Sequence, residues 1–191
     1  RGRYEEAERH KRYMIKEGLG FLPQLYYDLG YILMRSSTTR LSSMDGGGGD
    51  DNTTATATTK KQSPTPDIMA KLDDAISMFQ IVNDWDQHIL DGKDEFDLMS
   101  LDPIKRQLYT NIKLDAMLWM GTCLFWKQQY QESLTNFLTY LRLKKHDLSP
   151  DKLQNIKSMI TMVQQERKLQ QQQQQQQQEE EVKDEMTTTS T

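Results

Sequence analysis

Apolar residues recur at intervals of three and four in several stretches of the chain, and between those stretches the pattern vanishes. In residues 1–35, Tyr4, Ala7, Met14 and Ile15 stand among charged residues, Gly18 and Gly20 interrupt, and Pro23 opens a second apolar segment, LPQLYYDLGYILM. That spacing predicts two helices. From Asp67 onward, Met69, Leu72, Ala75, Ile76, Phe79 and Val82 fall on one helical face. Asp102 before Pro103 is a helix-start signal, because a carboxylate can cap the first amides and the fixed φ of proline suits the first turn. The helix expected from there to about Lys127 carries Leu108, Ile112, Met117, Trp119, Met120 and Leu124 around much of its circumference, as a helix with neighbours on two sides would. A partner helix from Gln131 to about Leu143 is expected to turn Leu134, Phe137, Leu138 and Leu141 inward. Ser149 and Pro150 repeat the start signal, and Leu153, Ile156, Ile160 and Val163 form the last apolar stripe.

The intervening stretches read differently. Residues 36–66 are rich in Ser, Thr and Gly and nearly devoid of apolar side chains. They have too little to bury to offset the entropy of ordering, so a disordered insertion is expected. The chain then divides into 67–102, a helix followed by an acidic connection; 103–169, a helical pair with a terminal helix; and 170–191, a poly-Gln and acidic, Thr-rich tail expected to be disordered, or at most a fraying extension of the helix before it.

Charge adds a local contrast. The 191 residues carry a formal net charge of -4, which gives no case for a nucleic-acid surface. Residues 67–102 hold ten acidic and two basic side chains, whereas 103–169 hold eleven basic and five acidic, so adjacent segments can attract each other. A single cysteine, Cys123, excludes an internal disulfide and reads as a small buried hydrophobe in an intracellular protein, cytoplasmic rather than nuclear. No apolar run approaches the length of a membrane span, and no signal peptide is visible. The chain starts at Arg1, in what reads as the middle of a helical hairpin, and further upstream repeats are expected.

The stretch from Gly121 to Leu143, GTCLFWKQQYQESLTNFLTYLRL, resembles the tetratricopeptide repeat family. Gly121 matches the small residue where the two helices of a repeat cross, Tyr130 the aromatic before the second helix, Ser133 the small residue on it and Phe137 the bulky one a turn later. Ser133 is more often Ala in the family, and Tyr140 stands where a small residue is common. In a preceding unit Tyr26, Leu29 and Gly30 match the first helix, and Leu72, Ala75 and Phe79 the second, with the insertion between them. Before that, Gly2, Tyr4 and Ala7 match a second helix alone, with Lys11 where an aromatic is expected. The resemblance implies an all-α fold, a right-handed superhelix of antiparallel helix hairpins, about two and a half repeats long. It also implies a non-enzymatic adaptor or scaffold that binds a peptide or helix of a partner protein in a concave groove, without cofactor or metal. The family's ligand-facing positions then fall on Gln24, Tyr27, Asp28, Tyr31 and Arg35, and on Asp115, Leu118, Thr122, Phe125 and Trp126. The clamp of Lys and Asn by which one subfamily grips a C-terminal carboxylate is not expected, since Gln24, Asp28 and Asp115 stand at comparable places. Two alternatives remain: a structural helical subunit of an obligate complex, and a helical regulatory region of an enzyme whose catalytic part lies upstream.

Other constellations carry less. Asp84, Asp86, His88 and Glu95 have the spacing of a calcium loop, but Ile89 stands where that loop needs glycine, and an acidic solvated loop is expected instead. GGGG at 46–49 is followed by Asp50 and Asp51, which would repel a phosphate. His10, His88 and His146 are scattered without a second ligand at a metal-binding interval, and no nucleophile motif is present. Asn52-Thr53-Thr54 is a formal glycosylation acceptor, discounted without a secretory signal. Ser63-Pro64 and Thr65-Pro66 are sites a proline-directed kinase can reach, beside Lys60 and Lys61.

Overall fold

Proline marks the starts of the helices. The computed structural model describes residues 2–19, 23–44, 64–85 and 103–188. Within them α1 spans Gly2–Met14, α2 Pro23–Met44, α3 Pro66–Asn83, α4 Pro103–Trp126, α5 Tyr130–Lys144 and α6 Pro150–Thr188. Four of these begin at a proline, whose missing amide costs nothing in the first turn. After α1 the backbone widens into a π turn over Ile15–Leu19 and kinks at Gly18, where φ is 90° and a side chain would be strained. At the start of α6 the amide of Lys152 donates to Ser149 Oγ at 3.4 Å. The α4–α5 turn closes through the Gln129 amide on the Leu124 carbonyl at 2.9 Å, with Gln128 at φ 62° in the left-handed region.

The fold is all-α, with each helix packed on its neighbour in sequence and α2 also meeting α4. The pairs cross closely where a glycine meets a ring. A Cβ added to Gly30 of α2 would lie 2.9 Å from the Phe79 ring of α3, and one added to Gly121 of α4 would lie 3.0 Å from the Phe137 ring of α5. Ala75 and Ser133, one turn before those rings, are both fully buried. The Ser133 hydroxyl donates to the Gly121 carbonyl at 2.7 Å, so burying it leaves no polar group unsatisfied.

Two cores result. The first is built from Leu29, Leu33 and Met34 of α2, from Leu72, Ala75, Phe79 and Val82 of α3, and from Ala116, Cys123 and Leu124 of α4. The second joins Tyr130, Leu134, Phe137 and Tyr140 of α5 to Ile156, Ile160 and Val163 of α6, with Leu114, Leu118 and Phe125 of α4 packed against it. Helix α4 thus serves both cores, which accounts for the apolar positions around most of its circumference. Ion pairs supplement the packing of α1: Lys11 with Asp28 at 2.7 Å, Arg12 with Asp74 at 2.8 Å and Lys71 with Glu8 at 3.5 Å.

Several expectations need correction. Helix α2 does not stop near residue 35 but runs to Met44, with Ser36 and Ser37 buried. The hydroxyls of both bond back to the Leu33 carbonyl at 2.9 Å, and those of Thr38 and Thr39 to the Arg35 carbonyl at 3.2 and 2.8 Å. A polar stretch can thereby stay helical and enter an interface, because each hydroxyl finds its acceptor in the preceding turn. Helix α6 runs through the glutamines to Thr188, so of the two expectations for the tail, disorder or an extension of the helix, the described residues follow the extension. Gln and Glu are good helix formers, and Gln171 to Gln178 need no burial to continue a helix already nucleated. Leu138, expected to face inward, is 46% exposed, and Leu108, counted among the apolar positions around α4, is 59% exposed. The glycine run, Ser63, the glycosylation acceptor and most of the acidic connection, including Asp86, His88 and Glu95, lie outside the described residues.

Candidate functional site

The ten positions singled out lie on two helices. Gln24, Tyr27, Asp28, Tyr31 and Arg35 follow one face of α2; Asp115, Leu118, Thr122, Phe125 and Trp126 follow one face of α4. Where α2 meets α4, Trp119 of α4 joins two of the tyrosines. Its Nε1–H donates to the Tyr27 hydroxyl at 3.0 Å, and its ring lies edge-on to Tyr31 with centroids 5.3 Å apart. Tyr27 also sits against Phe79 at 6.1 Å. Burial pushes the Tyr27 phenol up from its ordinary value; the bond from Trp119 opposes that shift, while Asp115, Tyr31 and Asp28 add to it. Tyr27 therefore stands among both carboxylates of the set.

Each carboxylate has partners from a neighbouring helix. Asp28 accepts from Lys11 of α1 at 2.7 Å and from Gln24 Nε2 at 2.6 Å. Asp115 accepts from Lys144 Nζ at 3.3 Å and from the Tyr140 hydroxyl at 3.5 Å, both on α5. Burial, with Asp115 next, pushes the Tyr140 phenol up to about 12. These are long contacts around a side chain 40% exposed, so Asp115 keeps acceptor capacity toward solvent.

The other positions divide by burial. Leu118 and Phe125 pack against the second core, and Phe125 lies 5.9 Å from Tyr130 and 5.7 Å from Trp126. The Thr122 hydroxyl donates to the Leu118 carbonyl at 3.1 Å. Gln24 and Arg35 are exposed, and Trp126 is 36% exposed. The structure thus brings Tyr27 and Tyr31 onto Trp119, sets Asp28 and Asp115 near enough to Tyr27 to raise its phenol, leaves Gln24, Arg35 and Trp126 outward, and uses Leu118 and Phe125 in packing. Sequence reasoning left Trp119, Tyr140, Lys11 and Lys144 out of the set. Only Trp119 carried a signal, as an aromatic one turn from Asp115 on a helix with apolar residues on several sides; the others join through contacts between helices that spacing along one helix does not encode.

The remaining candidates are quickly placed. Cys123 is fully buried, and burial pushes its thiol up to about 12, so it is a poor nucleophile at neutral pH. His10 and His146 are exposed on α1 and after α5. Thr65 is the residue before α3. Among the described residues no group of three or more His, Cys, Asp and Glu side chains could hold a metal ion, and no helix is long and apolar enough to cross a membrane. Comparison with protein-family models, with curated proteins and with solved structures found no match for the chain.

Proposed function

We propose that this chain is a tetratricopeptide-like stack of helix hairpins that acts as a non-enzymatic adaptor, holding a peptide or helix of a partner protein on the surface of α2 and α4. The observation that carries this reading is the repeated crossing: Gly30 on Phe79 and Gly121 on Phe137 put the same contact between α2 and α3 as between α4 and α5, which supports reading α2 and α4 as first helices of successive units. In a right-handed superhelix of such units the first helices line the concave side. The aromatic and polar residues around Trp119 then form the floor of the groove, and Gln24, Arg35 and Trp126 its outward contacts. A lone, deeply buried thiol fits a reducing intracellular compartment.

A second reading, a permanent subunit of a helical complex, draws on the outer side of α5, where Leu138 and Leu143 are 46% and 53% exposed. One experiment separates the two. A photo-crosslinking amino acid is placed singly at Gln24, Arg35, Trp126, Leu138 and Leu143 of the chain in cells, and the adducts are mapped by mass spectrometry. The adaptor reading expects adducts to one partner segment from positions 24, 35 and 126 and none to it from 138 and 143. The reverse pattern would favour the permanent subunit and discard the groove.

A further inference from the structure

The Thr-Pro pair before α3 takes no part in the α2–α4 surface, and its local structure gives it a separate use. Thr65 holds the cap position with φ -66° and ψ 156°, and Pro66 follows at the first helical residue. A capping threonine ordinarily turns its hydroxyl onto the amides of the first turn, yet the Thr65 hydroxyl makes no such bond. Its carbonyl does commit to the helix, accepting from the Met69 amide at 3.0 Å. The residue is half-buried, and Pro66 and Asp67 beside it are exposed. An extended threonine with an uncommitted hydroxyl directly before proline has the features a proline-directed kinase acts on.

We infer that Thr65 is a phosphorylation site for a proline-directed protein kinase, and that its phosphate acts as the missing cap of α3. In the transfer, Thr65 Oγ1 attacks the γ-phosphorus of ATP. The new P–O bond forms as the bond to the β-phosphate bridging oxygen breaks, ADP leaves, and the hydroxyl proton passes to a base of the kinase. Ile68, three residues on, is 2% exposed, so the kinase gains the extended substrate by opening the first turn of α3. The phosphate then stands where aligned peptide dipoles favour negative charge and first-turn amides point, an attraction that outweighs repulsion from the exposed Asp67 carboxylate.

The test incubates the whole chain with a purified proline-directed kinase and ATP, then maps phosphate by mass spectrometry in the wild type and in Thr65→Ala, Pro66→Ala and Ile68→Ala. Chain carrying phosphothreonine only at 65 is then melted beside the unmodified chain. Phosphate is expected on Thr65, abolished by Thr65→Ala, sharply slowed by Pro66→Ala and accelerated by Ile68→Ala, whose first turn opens more readily. The phosphorylated chain is expected to melt about 2 °C higher, with slower exchange of the Ile68 amide. Phosphate on Ser63 alone, an unmodified Thr65, or a phosphorylated chain whose melting point is unchanged or lower would each overturn the proposal.

Discussion

The pair α2–α3 and the pair α4–α5 use one contact, a glycine under a phenylalanine ring, yet differ in almost everything that joins them. Residues 45–65 separate the first two helices; Lys127, Gln128 and Gln129 separate the second two. Because the cost of closing a loop grows only with the logarithm of its length, a long insertion need not loosen the pair it interrupts. The close crossing fixes the geometry, and the connection follows it. A second difference lies beside the rings: Ala75 fills its place with a methyl group, whereas Ser133 brings a hydroxyl that donates to the opposing Gly121 carbonyl at 2.7 Å. The same site therefore accepts an apolar or a polar small residue, provided the polar one finds its acceptor.

The harshest way to break this equivalence is to remove the rings. Phe79→Ala and Phe137→Ala should each cost about 3–5 kcal/mol by urea unfolding, since both side chains are completely buried. A loss confined to one of them would show that only one crossing holds its pair. Adding a methyl group is milder: Gly30→Ala and Gly121→Ala should each cost about 1–3 kcal/mol, with Phe79→Leu or Phe137→Leu in the same chain recovering part of it, because the intruding Cβ meets ring atoms rather than backbone. The smallest change tests the small residue itself. Ala75→Ser should cost less than about 1 kcal/mol if the Gly30 carbonyl stands as the Gly121 carbonyl does, and about 1–3 kcal/mol if the new hydroxyl is left without an acceptor.

Alkaline titration sharpens the comparison from another side, because its groups, Cys123 and Tyr140, lie on α4 and α5. Burial lifts the Cys123 thiol from 9.0 to about 12 and the Tyr140 phenol from 10.0 to about 12. Both folded values exceed the unfolded ones, so the unfolded chain loses these protons first. Their contribution is intact below about pH 9 and is lost as pH rises toward 12. Unfolding midpoints measured across that window should fall, and Cys123→Ala should flatten the fall.

Much of the helical framework was legible in the sequence because its signals are local. Pro23, Pro103 and Pro150 stand where helices begin, and the stripe from Leu72 to Val82 faces the core as its period requires. What was not legible depends on compensation that hydrophobic periodicity does not register. Ser36 and Ser37 look like loop residues until their hydroxyls are seen on the Leu33 carbonyl, and the glutamines look like tail until helix propensity is weighed apart from burial. For the candidate surface, the family pattern supplied the faces of α2 and α4 but not what crosses between helices. That Trp119 reaches Tyr27, or Tyr140 and Lys144 reach Asp115, follows from packing alone.

The proposed groove rests on α2 meeting α4, and the bond between Trp119 and Tyr27 reports that contact directly. Nitrogen-15 NMR of the indole N–H groups resolves Trp85, Trp119 and Trp126 once each is assigned by its Phe variant. Tyr27→Phe, which removes only the acceptor, should move the Trp119 indole resonance and speed its exchange with solvent while leaving those of Trp85 and Trp126 in place. An unmoved Trp119 signal would contradict the α2–α4 contact, and with it the proposed groove and the proposed adaptor function.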